Sequence, residues 1–341
     1  MQDWGTPCFD RVLTALRRQE PDRVPPAEIW VDQEVRDAFM GRPVLSVKDE
    51  VGFWTAAGYD FVKVHPGLRR VEFDALDATA DRLGMRYAGH VPVAVGVPRA
   101  LEAGYWTIDH LDGYLNTLVA DGAPVDAAAP GGFFGMEFVP YVDQSKIAAV
   151  AWATRAAGVW NVPTQILMEN LASDEDPNAM AERAELRYMP ARTVAGWVQQ
   201  KRDFLALNPD IETRRQFIAV RRALVKALHE AGTGLLLGSD APQWWNVPGF
   251  SALRELEALV AAGLTPYQAL EAGTRSVAVY FGVTDRAGTI EVGKQADFVV
   301  LQANPLADIS NVWRRTGVML RGQWLPGADI EARLNEFAAS R

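Results

Sequence analysis

Cysteine is almost missing from this sequence: 341 residues contain one, Cys8. A single thiol cannot close an intramolecular disulfide and cannot build a thiolate metal cluster, so a reducing, cytoplasmic setting is expected. Histidine is nearly as scarce, with only His65, His90, His110 and His229. Any imidazole chemistry must draw on those four. An excess of positive charge is lacking too: 34 basic residues face 43 acidic ones, for a net charge of -9. That balance argues against a nucleic-acid partner held through backbone phosphates. Long apolar runs are absent. Ile147–Trp152 and Leu235–Leu237 are far too short to span a bilayer, so no membrane partner is expected. Met1–Cys8 has neither a basic start nor an apolar stretch, so no secretory signal is expected.

What is present is a chain with 49% hydrophobic and 23% charged residues, the composition of a globular protein with a substantial core. Short apolar runs alternate with helical patterns, which marks βα units and a parallel sheet. Residues 9–19 read as a helix ended by Pro21, Pro25 and Pro26, residues 27–31 as a strand, and residues 46–57 as a helix closed by Gly58. A strand over 59–64 ends at Lys63. A helix over 70–83 leads to a strand over 85–89 that ends at His90. A short helix over 97–103 leads to a strand over 105–109 that ends at His110. Three successive strand ends, about one βα unit apart, thus each deliver a metal-ligand type of side chain. In a closed parallel barrel those ends converge on one face. Helices follow over 145–158, 191–205 and 212–231, with a strand expected over 162–168. An apolar strand over 234–238 runs straight into Ser239 and Asp240. Three helices follow, over 251–262, 266–272 and 275–281. Short strands over 289–292, 297–301 and 318–321 then suggest a small β-module, and residues 326–340 a terminal helix.

Metal-assisted hydrolysis needs a divalent ion held by neutral imidazoles and anionic oxygens, with one position left for water. Such an ion lowers the pKa of the water to about 7, and a nearby carboxylate can pass the proton to the leaving group. His90 and His110 suit the imidazole role and Asp240 the carboxylate role. A protonated Lys63 cannot bind a cation, so it would have to be neutral or modified.

The runs Gly58–Val64, Ala88–Pro92, Ile108–Gly113 and Gly238–Pro242 resemble the amidohydrolase superfamily, and within it the imidazolonepropionase-like, dipeptidase-like branch. Ala272-Gly273-Thr274, Gly288–Phe298, Asn304-Pro305-Leu306 and the strand to Gly322 extend the resemblance over about residues 58–324. The resemblance implies an α/β fold, a (β/α)8 TIM-type barrel with a small C-terminal β-module. It implies one or two divalent ions, usually Zn2+, with Mn or Co as alternatives. Lys63 would be carboxylated and bridge the metals, His90 and His110 would bind one metal, and Asp240 would bind the other and shuttle the proton. The implied reaction is hydrolysis of amide or cyclic-amide C–N bonds in a small-molecule substrate.

The sequence also departs from that family. No histidine precedes His65, so the His-x-His of the family's first strand is absent, as are the N-terminal strands of its sandwich. Residues 9–60 resemble instead the start of uroporphyrinogen decarboxylase-like proteins, through Arg11–Arg18, Glu20–Pro25, Phe53-Trp54 and Ala57–Asp60. The chain therefore reads as a splice of two barrels near Gly58, which leaves the barrel incomplete at its N-terminus. The expected organisation is an N-terminal segment over 1–58, the hydrolase barrel over 59–282, and a sandwich remnant with a terminal helix over 283–341. Glu28 and Asp32 alternate along the new first strand, where acids are ordinarily solvated.

Each site residue has a plain alternative. Lys63 could be a solvated strand-end lysine, His110 or Asp240 a helix cap, and His90 a packing residue. His65, beside the Pro66-Gly67 turn, is expected to line the pocket. Tyr188, with Arg187 and Trp197, could touch substrate as a lid or could simply pack. His229 is expected on an outer helix face. Two further functions stand beside the hydrolase: a catalytically silent barrel that binds a small molecule, and a uroporphyrinogen decarboxylase- or methyltransferase-like protein. Missing sandwich strands would expose a sheet edge near 289–301, which favours homo-oligomers.

Overall fold

The computed structural model describes residues 36–37, 40–56, 61–208 and 210–339. The expected helix over 9–19, the strand over 27–31, and the residues Cys8, Glu28, Asp32 and Gly58 lie outside the described residues. The chain divides into two compact units, Met1–Trp106 and Thr107–Arg341.

In the first unit a helix, Val47–Ala56, precedes β1 (Phe61–Val64). The Arg70–Leu83 helix then leads to β2 (Arg86–Gly89). Glu72 caps the start of that helix by accepting from the Arg69 amide at 2.9 Å. It buries Phe73, Leu76 and Ala80 on one stripe and ends at Gly84. Strands β1 and β2 pair in parallel, with Lys63 opposite Ala88 and Val64 opposite Gly89. A parallel pair needs a crossover connection, and the helix supplies it. Phe73, Tyr87 and Tyr105 form an aromatic core, with Phe73 stacked on Tyr105 at 5.7 Å.

The second unit repeats the pattern. Strand β3 (Thr107–Asp109) pairs in parallel with β4 (Trp160–Val162), Asp109 opposite Val162. Beyond β4 the apolar run at 234–236 lies parallel to it: the Asn161 amide donates to the Gly234 carbonyl, and the Leu236 amide to the Asn161 carbonyl, both at 2.9 Å. The Lys146–Ala156 and Ile211–Glu230 helices intervene. The strand expected over 162–168 is instead the end of β4 followed by a helix, Gln165–Ala172. Its apolar run, Ile166-Leu167-Met168, has no strand partner; the chain leaves the ladder at Pro163, and a carboxylate from another helix holds the new helix start. Helices at Phe250–Ala261, Pro266–Ala272 and Arg275–Tyr280 match expectation closely.

The C-terminal module is a three-stranded antiparallel sheet, β5 (Phe298–Leu301), β6 (Arg315–Leu320) and β7 (Gln323–Pro326). The expected strand over 289–292 is not formed; the segment is turn and coil, with Ile290 and Val292 exposed. Its place is taken by β7, whose pairing with β6 follows from the tight turn at Arg321-Gly322. Val299, Leu320 and Trp324 leave this sheet with exposed apolar side chains. The Gly327–Ala339 helix closes the chain. Among the described residues no helix is long and apolar enough to cross a membrane.

Candidate functional site

In the first unit, Lys63, His65 and His90 gather at the C-terminal ends of β1 and β2. The His90 amide donates to the Val64 carbonyl at 3.0 Å, which continues the ladder one residue past β2. Gly89 makes this approach possible: its φ is +120°, and a Cβ there would stand 2.5 Å from the Val64 carbonyl oxygen. The Tyr105 hydroxyl donates to the His90 carbonyl at 2.8 Å and fixes the strand end. The His65 and His90 rings lie 5.2 Å apart. Burial first, then the nearby His90 and Lys63, push His65 below the usual imidazole range.

In the second unit, the ends of β3, β4 and the 234–236 run bring His110, Thr164 and Asp240 together. His110 and Asp240 both take left-handed backbone, at φ 60° and 55°, and Thr164 does so at 46°. Non-glycine residues rarely hold this conformation, and where they do it often marks a functional site. The His110 amide donates to the Val162 carbonyl at 2.8 Å. Its Nδ1 lies 2.8 Å from the Thr164 hydroxyl, and that hydroxyl donates its own proton to the Pro163 carbonyl, also at 2.8 Å. With that hydroxyl donating to the carbonyl, Thr164 accepts from Nδ1–H, the tautomer that turns the Nε2 lone pair outward. Nε2 faces the Asp240 Oδ2 at 3.8 Å. Gln243 donates to the same carboxylate oxygen, across the cis Ala241–Pro242 peptide.

Beneath these residues lies a charge network that sequence reasoning missed. Arg221 is fully buried. It donates to the His110 carbonyl at 2.9 Å, the Pro163 carbonyl at 3.0 Å and Gln165 Oε1 at 3.2 Å. Burial pushes it down to about 10, so it stays charged at neutral pH. Glu255, also fully buried, accepts from the Gln165 and Ile166 amides at 2.8 and 2.7 Å, at the start of the Gln165–Ala172 helix. Those two amides favour its charged form and so work against the effect of burial. The signal was available: Arg221 lies on the stripe of Phe217, Leu224 and Leu228, and Glu255 on that of Ser251 and Leu259, faces that helical periodicity sends inward.

Burial pushes Glu255 up to about 8 against its amide partners and Arg221. A raised carboxyl favours the fold most below its ordinary 4.5, and that contribution is lost as pH climbs towards 8. The stability advantage of the wild type over Glu255→Gln is therefore expected to narrow between pH 5 and pH 8. Urea titrations at the two pH values measure it; an unchanged or widening gap contradicts the assignment.

The other candidate residues sit elsewhere. Tyr188 is buried and stacked on Phe250 at 5.0 Å, in a cluster with Trp197 and Trp245. His229 is half-buried in the last turn of the Ile211–Glu230 helix. Among the described residues no three His, Cys, Asp or Glu side chains converge as a metal-holding group.

Parallel strands linked by helices, with polar residues gathered at the strand C-termini, define an α/β fold of the TIM-type barrel class. The chain belongs to the amidohydrolase family, whose pattern matches residues 131–325. Among solved structures, it is similar to bottromycin amidohydrolase, with 25% identity and a TM-score of 0.61 over 92% of this chain and 64% of that one. It also resembles a Xaa-Pro dipeptidase with bound methionine in its active site, at 22% identity and a TM-score of 0.50, over 82% of this chain and 58% of that one. Ochratoxinase from A. niger matches in fold at 18% identity and a TM-score of 0.51, over 83% of this chain and 54% of that one. The chain thus spans between about half and two thirds of the length of these relatives. No curated protein matches it.

Proposed function

We propose that the chain is a metal-dependent hydrolase of amide or cyclic-amide C–N bonds in small molecules, with Lys63 and His90 as its candidate ligands in the first unit and His110 and Asp240 in the second. The observation that supports this best is the His110–Asp240 pair. An imidazole nitrogen and a carboxylate oxygen 3.8 Å apart would suit two ligands of one small cation. The Thr164 hydroxyl fixes the ring as metal-binding histidines require, with the far nitrogen hydrogen-bonded. The donor set therefore fits a divalent ion, Zn2+ first, with Mn or Co as alternatives. His110 and Asp240 would hold it in the second unit, and His90 with a carboxylated Lys63 would provide the ligands of the first. A bound ion of this kind acidifies water and polarises the substrate carbonyl. Asp240 takes a proton at its carboxylate and delivers it to the leaving nitrogen. Gln243 orients that carboxylate, and Arg221 fixes the His110 backbone from below.

Elemental analysis of the full-length protein tests the reading. Zinc, manganese or cobalt is expected in the wild type and is lost in Lys63→Ala, and added bicarbonate raises activity in the wild type alone. A protein that binds none of these metals, and cleaves no dipeptide, lactam or acyl amide with metal added, is not this enzyme.

A further inference from the structure

Beside His110 the second unit carries a row of aromatic rings that the proposed chemistry does not use. Phe134 meets the His110 ring edge-to-face at 5.8 Å. Phe133 follows at 5.0 Å and 83°. Phe204 lies 4.9 Å from Phe133, and Trp244 5.9 Å from it. Phe133, Phe134, Phe204 and Trp244 are each only half-buried.

The backbone holds these rings in place at a cost. Phe134 takes φ 48°, Trp244 43° and Trp245 67°, all left-handed. Strain of this kind persists only where the surroundings enforce it. Here the enforcement is visible. Gly131, at φ +66°, lies so close to Phe138 that a Cβ would overlap its ring at 2.0 Å. Phe133 is rooted on the fully buried Phe217 at 6.0 Å. Trp245 is fully buried and anchors the loop, Asn170 donates to the Trp244 carbonyl at 2.9 Å, and the Trp244 indole donates to Gln200 at 3.0 Å. Trp244 is thereby fixed four residues after Asp240, within the same strained loop.

We propose that Phe133, Phe134, Phe204 and Trp244 form a recognition platform for an aromatic side chain of the amide substrate, continuous with His110 and Asp240. This rests on the hydrolase reading above and names its substrate class. The edge-to-face order of the rings, at 64° to 83° along the row from His110 to Phe133, is the arrangement that one further ring extends. Gln200 on the indole nitrogen satisfies the one polar group of the row, so an apolar occupant strands no donor.

The test is calorimetric titration of the full-length protein with three uncleavable product-like acids: 3-phenylpropionate, 4-methylpentanoate and propionate. The phenyl acid is expected to bind about tenfold more tightly than propionate, and clearly more tightly than the branched aliphatic acid. Phe133→Ala and Trp244→Ala are expected to remove most of that preference, while Trp244→Phe keeps it. Equal binding of phenyl and aliphatic acids overturns the platform, as does a preference untouched in a folded Trp244→Ala. A phenyl preference in a protein that cleaves no amide leaves the platform standing and defeats the hydrolase reading. Amide cleavage whose kcat/KM ignores an aromatic side chain defeats the platform alone.

Discussion

Asp240→Asn is expected to lower kcat/KM for amide cleavage by roughly a thousandfold, within the span that a positioned proton-transfer group supplies. The substitution preserves shape, so its effect isolates the proton and the charge. The carboxylate stands 3.8 Å from His110 Nε2 and accepts from Gln243, which orients it. An amide in its place cannot take a proton from water, and it turns a donor group towards one of those neighbours. Thermal stability should hardly change, because the Asp240 side chain is about one-third exposed, and surface charge changes seldom exceed about 0.5 kcal/mol. Steady-state kinetics on the dipeptide or acyl amide that the wild type cleaves best, with Tm measured in parallel, decides the matter. An Asn variant within tenfold of wild type would remove Asp240 from the mechanism.

Arg221→Met should have the opposite profile, with a large loss of stability. The guanidinium binds the carbonyls of His110 and Pro163 and the side chain of Gln165, and it is shielded from solvent entirely. Methionine fills much of its volume but takes the guanidinium donor from the His110 carbonyl and Gln165 Oε1, each at about 1–3 kcal/mol before relaxation, and leaves the Pro163 carbonyl with the Thr164 hydroxyl alone. It also removes the cation facing the buried Glu255. Loss of one partner from a buried charge network costs about 3–5 kcal/mol, and that is the expected total. Adding Glu255→Gln to Arg221→Met should restore part of the loss, because the second change removes the stranded acid. Urea denaturation measures both. A loss below about 1 kcal/mol would mean that the network carries little of the fold.

These two residues illustrate what the sequence disclosed. The position of Asp240 just past a strand-like segment was readable because it follows an apolar run between glycines and precedes Ala241-Pro242. The strand ends near Lys63, His90 and His110 were readable for the same reason: each residue lies at or beside the end of a short β-type segment in the structure. Arg221 escaped because a charged residue within a long, highly charged helix reads as solvated unless its phase against Phe217 and Leu224 is weighed. Thr164 and Gln165 escaped for a different reason. Their segment, Val162–Met168, is apolar enough to pass for a strand, and that reading hid the true strand end at Val162. Phe133 and Phe134 lie in a glycine-rich turn that has no periodicity at all, so only the folded chain reveals their order beside His110. The antiparallel pairing of β6 with β7 was missed because β7 is short and ends at a proline.

The single proton of the Thr164 hydroxyl has a consequence for timing. It is committed to the Pro163 carbonyl, and the two contacts together leave the His110 ring one way to sit. A change of tautomer would reverse the first contact and give up the second, so the plane of the ring, and the aim of Nε2 towards Asp240, are set before any ligand arrives.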